Sequence, residues 1–133
     1  MKSLERISKS STILKMRLDL ERLSRGTKLF PGICLAVIQN NEVFRVIFDS
    51  IGSFNRSEPH QGLLFYVYSI FENVFQCKSI YSNKSANIEW KDLIIISIKN
   101  WKAYVKSNRN LTAKIIRVLR LIFEYPKTIQ VCF

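Results

Sequence analysis

Apolar and charged positions alternate at the start of the folded part of the chain. In residues 13–21, ILKMRLDLE, Leu14, Met16, Leu18 and Leu20 fall on one side and Lys15, Arg17, Asp19 and Glu21 on the other. Period two marks a half-buried strand, so a strand with a charged outer face is expected here, although Leu and Met favour helices. SRGTK at 24–28 reads as a turn-like linker, and Pro31 suits the first position of a helix. Residues 32–48 fit either a helix to about Asn41 followed by a strand, or two strands around a QNNE turn, and the first is preferred. Residues 49–62, DSIGSFNRSEPHQG, have the composition of an exposed loop.

Residues 63–75, LLFYVYSIFENVF, carry a single charge at Glu72, which fits an element buried on most sides, helix or central strand. A second polar loop, SIYSNKSAN, covers 79–87, and the β-branched run Ile94, Ile95, Ile96 and Ile98 favours a buried strand. The clearest helix follows Asn110, a good N-cap, and stops at Pro126. At 100° per residue it gathers Leu111, Ile115, Val118, Leu119 and Ile122 on one face and Lys114, Arg117 and Arg120 on the other. The expected fold is α+β: one compact domain over residues 13–133, mixed strands with a C-terminal basic amphipathic helix, preceded by a flexible basic arm at 1–12.

Charge changes this picture most. The net charge is +11; residues 1–30 hold eight Lys/Arg against three acids, residues 101–133 seven against one, and residues 31–100 six of each. The excess therefore sits at the two ends, at +5 and +6. A small domain gains no stability from self-repulsion, so contact with something anionic is the natural reading. The three cysteines, Cys34, Cys77 and Cys132, match no metal-binding or disulfide spacing and read as reduced thiols. No apolar leader opens the chain, and the longest uncharged stretches, 29–41 and 59–71, reach 13 residues where a spanning helix needs ~20. An intracellular protein of cytoplasm or nucleus is expected, at most peripheral to a membrane, and the sequons at Asn55, Asn83 and Asn110 are then chance matches.

Candidate chemistry is sparse. The sole histidine, His60, falls in the expected loop with no second signature of a nucleophile or oriented base. GxGxxG, GxxxxGK[ST] and HExxH are absent and the carboxylates are scattered, so no catalytic residue, metal site or cofactor is expected. The basic residues remain. Lys2, Arg6, Lys9, Lys15 and Arg17 at one end, and Lys99, Lys102, Lys106, Arg109, Lys114, Arg117 and Arg120 at the other, are the candidate polyanion contacts, with Trp101 and Tyr104 as candidate aromatic contacts. The same aromatics fit equally well in a core. No nucleic-acid module is spelled out, so charge-driven contact with phosphates, rather than base reading, is what the residues support. The last helix, apolar on one side and basic on the other, suits an anionic bilayer as well.

In order of elements, residues 9–100 resemble the matrix proteins of rhabdoviruses, particularly the smaller ones of plant members. The likeness runs through a Lys/Ser-rich arm, a strand in KMRLDLERLSRGTKLF, an amphipathic segment GICLAVIQNNEVF, an apolar stretch GLLFYVYSIF and a strand pair around SANIEWKDLIIISI. The PPxY-type motif of many animal-virus members is absent. The resemblance implies a non-enzymatic structural protein that condenses a ribonucleoprotein and bridges it to a membrane, self-associating in the process. A different expectation is a small viral-type accessory or silencing-suppressor protein acting through protein–protein contacts. Residues 1–12 offer only Leu4 and Ile7 for burial, too little to offset the roughly 1–2 kcal/mol per residue needed to order a backbone. Deleting them is expected to leave the melting temperature nearly unchanged while weakening binding or assembly; a truncation that unfolds the domain, or full protection from limited proteolysis, would show a packed element instead.

Overall fold

The computed structural model describes residues 13–39, 45, 47, 49, 57–77 and 90–124. The expected arm at 1–12, with Lys2, Arg6 and Lys9, the polar loop at 79–87 and the stop at Pro126 lie outside them. The described residues contain five helices and no strand: α1 (Ile13–Leu29), α2 (Pro31–Gln39), α3 (Glu58–Gln76), α4 (Trp90–Tyr104) and α5 (Arg109–Glu124). The α+β expectation is therefore wrong: every element among the described residues is a helix.

The N-terminal alternation misleads because it covers too few residues to separate period 2 from period 3.6. Leu14 and Leu18 on the supposed inner face are 67% and 45% exposed, whereas Asp19, on the supposed outer face, is buried beside Leu20, Leu23 and Thr27. Those positions recur every three to four residues, one stripe of a helix. SRGTK continues that helix rather than ending it. The true stop is Pro31, which disfavours a helical residue before it and lacks an N–H, yet suits the first position of α2. Arg45 and Ile47, where a strand was expected, and Asp49, where an exposed loop was expected, are helical as well.

The isoleucine run in α4 is likewise helical: only Ile94 of the four is buried, while Ile95 is 57% exposed. β-branched residues lose only tenths of a kcal/mol in a helix, and burial of Trp90, Leu93, Ser97 and Tyr104 at helical spacing outweighs that. The stretches that carried the resemblance as strands are thus helices wherever they are described. At α5 the cap shifts by two residues: Asn108, not Asn110, accepts the Leu111 N–H at 3.0 Å through Oδ1, and its Nδ2 donates to Gln61 of α3 at 2.8 Å. The expected inner face of α5 is observed, with Leu111, Ile115, Val118 and Ile122 buried.

Helix α3 is the centre. It buries Leu63, Leu64, Val67, Tyr68, Ser69, Ile70, Phe71, Glu72, Val74 and Phe75, an arc covering most of its circumference. Helices α1, α2 and α5 pack directly along it, α2 also packs on α1, and α4 packs on α5. Between α3 and α4 the spacing is filled by large side chains: Phe71 stacks on Phe75 at 5.7 Å, Phe75 meets the Trp90 ring at 5.2 Å, and the Tyr68 hydroxyl donates to Ser97 Oγ at 3.0 Å while accepting from Asn100 at 3.2 Å. Phe71→Ala is expected to cost about 3–5 kcal/mol. Ile95→Ala should instead lie within about 0.5 kcal/mol of wild type or stabilise, because Ala is the better helix former at an exposed site. Denaturant midpoints check both, and a large loss at Ile95 would return that segment to the core.

Candidate nucleic-acid interface

The less buried stripe of α3 holds Gly62, Phe65, Tyr66, Asn73 and Gln76, positions that recur at helical spacing, with Phe65 and Tyr66 half-buried against the core. It forms the floor of an open groove. One wall is α1, from Leu14 and Arg17 to Arg25 and Lys28; the other is α5, through Asn110, Lys114 and Arg117. Two cavities of about 900 and 680 Å³ share Phe65 and run end to end along α3. The fifteen residues from Gly62 to Gln76 correspond to a groove length of about 21 Å at 1.5 Å per residue.

Five cations line it, Arg17, Arg25, Lys28, Lys114 and Arg117, against two carboxylates, Glu58 and Glu72. They differ in employment. Lys114 Nζ donates to Glu72 Oε1 at 2.5 Å and stands 5.7 Å from the Phe65 ring centroid, so its charge is largely committed inside the fold. Arg117 lies 3.8 Å from the other Glu72 oxygen but is 61% exposed, and Arg25, paired to Glu21 at 2.6 Å, is 70% exposed. Exposed pairs of this kind are worth little and exchange readily for another anion. Glu72 is only 8% exposed, and leaving such a carboxylate unpaired is costly. Between α1 and α3 the wall is fixed by Asn73, whose Nδ2 donates to Ser24 O at 2.9 Å and Thr27 Oγ1 at 3.1 Å.

The candidate residues therefore divide. Lys114 and Arg117 line one of the two cavities together with Arg25 and Lys28, while Arg17 lines the other. Lys15 is exposed on α1 outside it; Lys99 and Lys102 occupy the exposed side of α4, Lys106 is exposed in the turn after it, and Arg109 and Arg120 hold exposed positions of α5. Tyr104 is buried and Trp101 half-buried against the core, its Nε1 enclosed with no partner among the described residues. Phe65 and Tyr66, half-buried against the core as Trp101 is, meet edge to face at 5.9 Å in the groove floor.

Arg25 and Lys28 escaped the sequence reading because SRGTK looked like a turn; their spacing from Leu20 and Leu23 was the available signal. The lone Glu72 in an apolar run was another, since a buried carboxylate requires a cation from elsewhere. His60 lies half-buried in the first turns of α3, not in a loop, and the described residues bring together no group of three metal-ligating side chains. No family model, no curated protein and no solved structure matches this chain.

At the far end of the groove Cys34 is buried, donating to Thr27 O at 3.1 Å. Burial first, and then the neighbouring Cys77, pushes its thiol up to about 11. Burial also raises the Tyr68 hydroxyl, partly offset by Ser97 and Asn100. Both groups fold in their neutral form, so their stabilising effect is complete below the unfolded pKa and is lost as pH rises through the folded one. For Cys34 that window runs from 9.0 to about 11. The melting temperature is expected to fall across it, and less steeply in Cys34→Ala; identical slopes in both proteins would remove Cys34 as a cause.

Proposed function

We propose that this is a non-enzymatic nucleic-acid-binding protein that holds a single-stranded phosphate backbone in the groove between α1 and α5. The observation that carries the reading is the convergence of the two basic ends of the sequence on one stripe of α3: Arg17, Arg25 and Lys28 from one side, Lys114 and Arg117 from the other. Phosphates satisfy cations that the fold itself leaves largely hydrated, and release the counterions they hold. Phe65 and Tyr66 in the floor offer faces on which bases of any identity stack. Nothing in the groove resembles an ordered set of donors and acceptors for base edges, so the binding is charge-driven and tolerant of sequence.

With four phosphate contacts, from Arg17, Arg25, Lys28 and Arg117, log K for a single-stranded RNA homopolymer should fall with log salt at a slope of about −2.8, near 0.7 per contact. Arg25→Glu with Arg117→Glu should weaken binding and reduce the slope by about 1.4, with stability within about 0.5 kcal/mol because both side chains are mostly exposed. Fluorescence anisotropy across a salt series measures both. Affinity indifferent to salt, or a double variant that binds as tightly as wild type, would overturn the reading.

A further inference from the structure

Two thiols from different helices open onto the same end of the groove. Cys34 of α2 and Cys77, the residue that caps the C-terminus of α3, both line the cavity of about 680 Å³, although they stand 43 positions apart in sequence. The way α3 ends brings them together. The Cys77 N–H turns to Val74 O at 3.2 Å, a tightened last turn, and the Cys34 thiol approaches Asn73 O, the carbonyl one turn before Cys77, at 3.7 Å. Cys34 Sγ therefore sits at the end of α3, within hydrogen-bonding reach of the Cys77 side chain. A lone buried cysteine is an ordinary small apolar residue; a second thiol brought beside it from another element makes a dithiol. The two differ in access, since Cys34 is 1% exposed and Cys77 only half-buried. Around them the cavity wall holds the exposed cations Arg25, Lys28 and Arg117, while Lys114 is held by Glu72.

We propose that Cys34 and Cys77 form a site of thiol–disulfide exchange for an anionic low-molecular-weight disulfide of the glutathione type. Both thiols are reduced in this structure. The exchange proceeds by two displacements. The Cys77 thiolate attacks one sulfur of the small disulfide, whose S–S bond breaks; a mixed disulfide forms on Cys77 and one glutathione leaves as its thiolate. Cys34 then releases its proton and attacks the Cys77 sulfur, forming the Cys34–Cys77 bond and expelling the second glutathione. The protein dithiol gives up two electrons and two protons, and the small disulfide takes up both to become two thiols. Access and burial fix the order of attack. Cys77 is the sulfur a solute reaches, whereas burial, with the thiol pushed up to about 11, keeps Cys34 protonated until the mixed disulfide stands beside it. The cations select the partner, because Arg25, Lys28 and Arg117 concentrate a disulfide that carries carboxylates over a neutral one. The new bond ties α2 to the end of α3 at the point where Cys34 donates to Thr27 O at 3.1 Å, and its formation does not depend on the groove binding nucleic acid.

The test incubates the full chain, reduced and then freed of reductant, with glutathione disulfide, and counts and maps its thiols by mass spectrometry. Of the three cysteines, Cys34 and Cys77 should be lost as one linked peptide with no retained glutathione, leaving Cys132 as a thiol. Cys34→Ala, which keeps the attacking thiol, should instead hold one glutathione on Cys77. Cys77→Ser, a near-isosteric change at a half-buried position, should leave Cys34 reduced over the same time. At low salt, and with each rate normalised to that of free cysteine, glutathione disulfide should react about tenfold faster than neutral hydroxyethyl disulfide, an advantage that Arg25→Glu with Arg117→Glu should abolish. Retention of all three thiols, a disulfide that uses Cys132, pairing between chains, or equal normalised rates with the two reagents would overturn the proposal.

Discussion

Between Leu63 and Phe75, α3 buries side chains around most of its circumference, so it is stable in water only if other helices enclose it. That requirement sets the rest of the architecture. α1 and α5 lie along it on two sides, α2 closes a third beside α1, and aromatic rings and the Tyr68–Ser97 hydrogen bond span the wider gap to α4. Because the wrapping helices come from the two ends of the chain, their basic stretches become neighbours across α3 whether or not any ligand is present.

Placing cations side by side is unfavourable, and the fold meets this with one acid. Glu72 sits on α3 within reach of Lys114 and Arg117, low enough in the groove to be nearly dehydrated. It holds Lys114 as a structural partner and leaves Arg117, with Arg17, Arg25 and Lys28, at the groove's rim. A buried pair of this sort contributes little net stability over an apolar substitute, but removing one partner strands the other. Glu72 is thus a constraint on which cation is committed and which are free to exchange their partners for an incoming phosphate.

The core face of the last helix, the helix-starting role of Pro31 and the buried character of residues 63–75 were legible in the sequence because each rests on a local rule: spacing, a fixed φ, or apolar content on all sides. The excess charge at both ends was also legible, being a matter of counting. The strands were not. Over 13–21 and 94–98 the residues satisfy short strand patterns, and only the packing of Leu20, Leu23, Thr27, Trp90, Leu93 and Ser97 against other helices decides in favour of period 3.6. Such tertiary burial outweighs propensity differences of a few tenths of a kcal/mol.

The sequence by itself determined that the chain is strongly basic, that its charge lies at the ends, and that a heavily apolar central element would have to be covered. Tertiary structure alone decided that the basic stretches of α1 and α5 flank the same helix, because that depends on which helices enclose α3 and in what order. It also decided that Tyr104 is buried while Trp101, Phe65 and Tyr66 stay half-buried against the core, the last two at the floor of the groove, because the direction each helix turns toward the core sets how far each ring is enclosed.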